Sequence, residues 1–234
     1  MKLLAIDTSN LTLGVSVCTE DKVLGEFTTN IRKNHSIRLM PMVAQVLEEL
    51  DMETAELSAV AVAKGPGSYT GVRIGVVSAK SMAWALNLPL VGVSSLEVLA
   101  WNGANFPGLI FPLFDARRGQ VYGGIYRWGS NGMETVENDR IILLRDALDS
   151  LKSMGEPVLF LGEDLQIHKE TIEETMGTQA FFAPASYSLP RPAHLAMAAF
   201  RMLREGKTED RERFTPSYLQ LAEAEAKWLA GRQE

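Results

Sequence analysis

The run Lys64-Gly65-Pro66-Gly67-Ser68-Tyr69-Thr70-Gly71-Val72-Arg73-Ile74-Gly75 constrains this chain more than any other stretch. It follows a strand-like apolar run, Ala59–Ala63, and leads straight into a helical pattern. Gly65, Pro66, Gly67 and Gly71 fix a tight strand-to-helix turn, because Gly admits backbone angles that other residues resist while Pro restricts φ and lacks a donor. Such a turn leaves N–H groups at a helix N-terminus free to face an anion. The Lys-Ser/Thr pair that ends a nucleotide-binding P-loop is missing, since Gly71 is followed by Val72-Arg73. The turn therefore reads as a structural element of a docking surface rather than a phosphate cradle.

With 234 residues, 46% of them hydrophobic, the chain can bury the core of one large domain or two small ones. Its net charge of −6, with no basic stripe, makes it a poor candidate for gripping a phosphate backbone by itself. Any nucleic acid would be held through another subunit. The single cysteine, Cys18, excludes an internal disulfide and a multi-cysteine zinc site, and reads as structural. The opening Met1-Lys2-Leu3-Leu4-Ala5-Ile6-Asp7 is too short in its apolar part for a signal peptide, and no 18-residue apolar run follows. A soluble, cytoplasmic protein without a membrane partner is expected.

The first third reads as three strands, Leu3–Thr8, Leu11–Cys18 and Lys22–Thr29, joined by short hairpin turns. From His35 to Leu50 the period changes, with Leu39, Met40, Val43, Val46, Leu47 and Leu50 on one helical stripe and Pro41 in the first turns. The strand 59–63 is followed by a helix from Gly71 to Leu86 that is apolar most of the way round, as in a helix either deeply buried or covered by a partner. A strand, Leu90–Val93, and a short helix opened by the capping pair Ser94 and Glu97 complete this half. Gly, Asn and Pro cluster at 102–108, giving a boundary between residues 1–103 and 104–234. Beyond it the pattern partly repeats. Strands at 109–114 and 120–128 flank the turn Asp115-Ala116-Arg117-Arg118-Gly119, and a polar segment follows. Then come a helix at 145–154, a strand at 158–162, a helix at 165–176, a strand at 180–183 and a helix at 193–204. Residues 205 onward read as a polar tail as far as Tyr218, with a final helix at 222–229, and the last helices of this half are able to pack back on the first. Two consecutive halves with meander-first topology predict an α/β fold of two duplicated lobes with mixed sheets, the actin-like (ribonuclease H-like) architecture.

Asp7, Thr8 and Ser9 end the first strand, where actin-like ATPases hold phosphate and magnesium. No glycine lies between Leu3 and Leu13 to let a phosphate approach, so these residues read as a degenerate phosphate loop. Arg73, Val77, Lys80 and Trp84 follow i, i+4, i+7, i+11 spacing, and aromatic and Arg residues commonly anchor interfaces. On spacing alone, Trp84 fits core packing equally well. His35, His168 and His194 lie far apart in sequence, so no metal site is expected, and His35 reads as a capping or interface residue. Ser68 lacks a Gly-x-Ser-x-Gly elbow, and no catalytic residue is assigned. Asp115 with Arg117 and Arg118 reads as a solvated turn, or as a site for a partner or an anion.

Five motifs in order along the chain carry a resemblance to a known family: Leu3–Ser9, Asn34-His35-Ser36, Gly65–Gly75, Asp115–Tyr122 and Pro216-Ser217-Tyr218-Leu219. Together they resemble the bacterial TsaB (YeaZ) family, subunits of the machinery that makes N6-threonylcarbamoyladenosine on tRNA. The resemblance implies an actin-like fold and a non-catalytic scaffold that pairs with its paralogue TsaD, the transferase, with TsaE, an ATPase, in a larger complex. It implies a homodimer when alone, tRNA contact only indirectly, no cofactor of its own, and ATP or ADP only at the complex interface. Mapped onto this sequence, the interface would comprise Tyr69, Arg73, Val77, Lys80 and Trp84 with His35, Leu39 and Met42. The competing readings are a small-molecule kinase or ATPase of the actin-like superfamily and, through an old glycoprotease label, a peptidase.

Overall fold

The computed structural model describes residues 1–219, and the helix expected at 222–229 lies outside them. The first five strands are β1 (Leu3–Asp7), β2 (Thr12–Cys18), β3 (Val23–Asn30), β4 (Ala59–Ala63) and β5 (Leu90–Val93). They form one sheet in the order β3-β2-β1-β4-β5, antiparallel across the opening meander and parallel from β1 through β4 to β5. The strands β6 (Leu109–Asp115), β7 (Gln120–Gly129), β8 (Gly132–Leu143), β9 (Val158–Leu161) and β10 (Ala180–Phe182) form a second sheet, β10-β9-β6-β7-β8. Read from its other edge, the second sheet has the same order and the same pattern of parallel and antiparallel pairs as the first. This duplication is the actin-like architecture.

The region read as polar after residue 128 is β8, a twelve-residue strand. Glu134, Thr135, Asn138 and Arg140 face solvent there, because β8 is an edge strand with only one neighbour, β7. Its polar composition suits an edge, which must discourage pairing with other chains.

Helix α1 (His35–Glu49) and α2 (Tyr69–Ala85) cover one face of the first sheet. Their buried stripes, Leu39, Val43, Val46 and Leu47 with Val72, Val76, Ala79 and Ala83, interlock with β-strand residues such as Ile6, Leu13, Val15 and Val62. Pro41 lies in the second turn of α1 rather than the first, where it deletes one internal hydrogen bond. Helix α3 (Ser95–Ala100) sits between the lobes, packing Leu96 and Leu99 on Ile110, Phe114 and Tyr126 of the second sheet. Ser94 caps it by accepting from the N–H groups of Leu96 and Glu97, while the Glu97 carboxylate turns instead to Arg201 at 2.6 Å. Helices α4 (Leu144–Ser153) and α5 (Leu165–Met176) cover the far face of the second sheet.

The last described helix, α6 (Pro192–Arg204), returns to the first sheet. Ala193, Leu195, Ala196, Ala198, Ala199 and Phe200 pack on Leu3, Ala5, Cys18, Ala59 and Val91, the face opposite α1 and α2. Gly14 permits this approach, since a Cβ there would come within 2.9 Å of the Pro192 ring. At its start, His194 lies beside the Trp101 ring at 6.2 Å, and its Nδ1 is buried without a partner among the described residues. Burial, helped by the nearby Arg191 charge, lowers its pKa to about 4. A base whose folded pKa is depressed contributes stability above its unfolded pKa of about 6.5 and loses it as pH falls towards the folded value. Between pH 7 and 5 the native protein should lose about 2 kcal/mol more stability than His194→Gln, by urea unfolding. Equal losses in the two proteins would show that His194 titrates normally.

Candidate docking face

The turn before α2 is held shut from inside. The Ser68 N–H donates to the Ser9 carbonyl at 2.7 Å, and the Ser68 hydroxyl accepts from the Gly71 N–H. The Thr8 hydroxyl donates to the Gly71 carbonyl at 2.7 Å. A Cβ added at Gly67 would lie 2.1 Å from the Ser9 carbonyl oxygen, and one at Gly71 would lie 2.2 Å from that of Thr8. The glycines thus bring two backbones into contact, and two N–H donors of the turn, those of Ser68 and Gly71, are used within the chain. Gly65 and Pro66, joined by a cis peptide bond, are buried behind them, and Ser95 accepts from the Gly65 N–H. Asp7, Thr8 and Ser9 are all buried. Asp7 Oδ1 accepts from the N–H and hydroxyl of Ser9, and burial raises the carboxyl's pKa. These residues do not fit a phosphate.

Because the buried stripe of α2 faces β1 and β4, its other side is turned outward. Val77 is 60% exposed and Trp84 70%, so Trp84 is not a core residue. Tyr69 and Arg73 lie on the same side, with the Arg73 guanidinium 5.4 Å from the centre of the Tyr69 ring. On α1 the structure differs from expectation. Leu39 is buried in the core, and Met42 is half-buried against it. The side chains that reach the surface are Ile37, at 71% exposure, and Met40. With Pro41 and Ala44, both exposed, they follow i, i+3, i+4, i+7 spacing, a second apolar stripe that the sequence carried beside the core stripe. His35 uses Nε2 to contact the Asn10 carbonyl at 2.8 Å, while Asn34 caps the helix. The result is an apolar face on two adjacent helices, of a kind that soluble monomers seldom leave bare.

Sequence reasoning missed the element that frames this face. Residues 209–218 form a strap along α2, from its C-terminal end to its start. Glu209 bridges to Leu90 and pairs with Lys64, and Phe214 enters the core beneath α2. The Lys80 ammonium donates to the Phe214 carbonyl at 2.7 Å and to that of Glu212, so it belongs to the strap rather than to the open face. Ser217 donates to the Lys64 carbonyl, and Tyr218 stacks on Tyr69 with centroids 4.7 Å apart. The signal was the pair Phe214 and Tyr218, aromatics inside an otherwise polar tail.

The three histidines do not converge. His35 and His194 are accounted for above, and His168 sits on α5, 3.2 Å from Asp115. Among the described residues no group of three or more His, Cys, Asp or Glu side chains is placed to hold a metal. Asp115 therefore faces His168, not the arginines beside it, and Arg117 and Arg118 stand exposed with φ of 66° and 54°. No described helix is long and apolar enough to cross a membrane.

Comparison with known proteins places this geometry. The family model described as TsaD, tRNA N6-adenosine threonylcarbamoyltransferase, matches residues 22–228. The Bacillus subtilis tRNA threonylcarbamoyladenosine biosynthesis protein TsaB is 50% identical over 100% of both chains. The Escherichia coli protein of that name is 30% identical over 94% of each. YeaZ of Pseudomonas aeruginosa superposes with a TM-score of 0.77 at 27% identity, over 93% of this chain and 99% of its own. A second Pseudomonas aeruginosa structure, of a protein described as similar to peptidase YEAZ, gives 0.80 at 26% identity over 94% and 99%. This chain belongs to the TsaB family.

Proposed function

We propose that this protein is a non-catalytic subunit in the formation of N6-threonylcarbamoyladenosine on tRNA, and that it acts by docking the α1–α2 face against a TsaD paralogue. The exposure of Ile37, Met40, Val77 and Trp84 on a rigid, well-packed lobe carries this reading. The match of the TsaD family model to most of the chain supports the choice of partner. Two proteins sharing one fold can set the same pair of helices face to face about an approximate two-fold axis, burying both apolar stripes at once. A partner that binds only the competent conformation of TsaD raises that conformation's share without touching substrate. The ATPase TsaE and the tRNA would then join through the complex rather than through this chain alone, consistent with its net charge of −6. Any ATP or ADP would sit where the subunits meet, a placement supported by the use of the Ser68 and Gly71 N–H donors within the chain. The same relatives give no support to a small-molecule kinase, and the residues no support to a peptidase.

Light scattering on a sizing column, with this protein alone and mixed with TsaD, tests the reading. A stoichiometric heterodimer is expected, and Arg73→Glu should weaken it at least tenfold while leaving the thermal midpoint unchanged. No association, with or without TsaE and ATP, would overturn it.

A further inference from the structure

The duplication of the fold sets two turns in equivalent places. Strand β1 ends at Asp7 and β6 at Asp115, each pairing antiparallel with the strand that follows and parallel with a later one. The turn after β1 buries Thr8 and Ser9. The turn after β6, residues 116–119, stands outward instead, and a Cβ built on Gly119 would meet nothing within 4 Å.

Arg117 and Arg118 occupy this outward turn in the left-handed region, where a Cβ is crowded. The other described non-glycine residues with positive φ are Asp51, Asn87 and Asn105, types whose short polar side chains tolerate that region. The turn is firmly closed all the same. The Gln120 N–H donates to the Arg117 carbonyl at 3.0 Å, and the Ala116 N–H to the Gln120 carbonyl at 2.9 Å. The Leu144 N–H donates to the Gly119 carbonyl at 2.9 Å, tying the turn to the start of α4. Two guanidinium groups thus share one rigid projection. Neither makes a hydrogen bond or an ion pair among the described residues. The carboxylates nearby are engaged elsewhere: Asp115 by His168 at 3.2 Å, Asp164 by the Asp115 N–H at 3.0 Å, and Glu163 by the Asn30 amide. Arg145, exposed and unpaired among the described residues, follows Leu144 beside the turn, with the exposed Asp146 next to it.

We propose that the Arg117-Arg118 turn is a phosphate-contact site on the second lobe, taking adjacent backbone phosphates of the tRNA. The presence of tRNA rests on the reading above, whereas the anion chemistry of the turn does not. A guanidinium offers phosphate oxygens a planar fork of donors and keeps its charge at any working pH. A projecting turn has no walls to enclose a nucleoside, so a passing polyanion fits it better than a free nucleotide. The chain as a whole, at net charge −6, repels such a polymer, which confines the contact to a local point.

A double variant, Arg117→Gly with Arg118→Gly, isolates the charges, because glycine adopts the left-handed region freely. Its thermal midpoint should equal or exceed the native one, and it should still pair with TsaD on the sizing column. The affinity of that complex for tRNA, by filter binding between about 50 and 300 mM NaCl, should fall about tenfold at about 100 mM. The slope of log affinity against log salt should flatten by about one to two, one phosphate contact for each arginine. An unchanged slope in a complex that forms overturns the site and leaves the docking reading standing. If the native chain and TsaD never associate, the docking reading fails, and the chain alone decides the site. At about 20 mM NaCl a fluorescently labelled single-stranded RNA should then bind the native chain several-fold better than the glycine variant. Equal binding by the two would overturn the site. Isothermal titration with ADP separates the sources of phosphate: binding that the glycine variant loses, with tRNA affinity unchanged, would overturn RNA as the ligand.

Discussion

Trp84→Asp should reduce pairing with TsaD by two orders of magnitude or more and leave the isolated fold intact. Trp84 is 70% exposed and sits in the last turns of α2, beyond the reach of the strap's aromatic column. In the free protein it loses little by truncation, because solvent already surrounds most of it. In a complex it would be buried, and central Trp residues in interfaces commonly contribute about 2–4 kcal/mol. The aspartate adds the cost of desolvating a charge in an apolar contact. Isothermal titration with TsaD, alongside thermal melts of each protein alone, separates the two effects. A variant that pairs like the native chain would move the interface away from this end of α2.

Gly71→Ala should destabilise the protein by about 3 kcal/mol, against the direction that helix propensity gives. In an open helix the change stabilises by up to about 1 kcal/mol, since Gly loses the most backbone entropy on folding. Here the new Cβ would sit 2.2 Å from the Thr8 carbonyl oxygen, and both partners are backbone that no rotamer change can clear. Overpacking against a fixed backbone costs about 1–3 kcal/mol and occasionally more, so sterics outweigh propensity. The Thr8–Gly71 hydrogen bond would also be pried open. Denaturant unfolding gives the number directly. A more stable Gly71→Ala protein would mean that the approach of β1 to α2 is looser than described.

Much of the scaffold was legible because periodicity and burial coincide where an element has one wet and one dry side. The stripes of α1 and α2 fall in that class, whereas β2 and the strand at 59–63 are buried on both faces and show in the sequence as apolar runs bounded by turns. Strand β8 was not legible, since an edge strand carrying Glu134, Glu137, Asn138 and Arg140 has the composition of a loop. The expected surface position of Leu39 and Met42, and the grouping of Met40 on one stripe with Leu39, differ from the structure for another reason. Helix α1 is apolar around more than half its circumference, and hydropathy does not say which stripe the sheet will claim. Only the position of β2 and β3 decides that. The glycine turn approaches a residue pair about sixty positions earlier, which no local pattern encodes.

The return of α6 and the strap to the first sheet makes the order of synthesis matter. Its far face is clothed by residues 192–204, the edge of β5 by Glu209, and the core under α2 is completed by Phe214. During translation, the first five strands therefore emerge long before the segments that finish their packing. A nascent chain stalled after residue 103 holds a half-covered sheet, with Leu3, Ala5, Ala61 and Val91 open to water on one side. Contacts of such long sequence separation slow folding and couple the two lobes into one cooperative unit. A single unfolding transition for the whole chain, and aggregation of a 1–103 fragment, are the behaviour this wiring dictates.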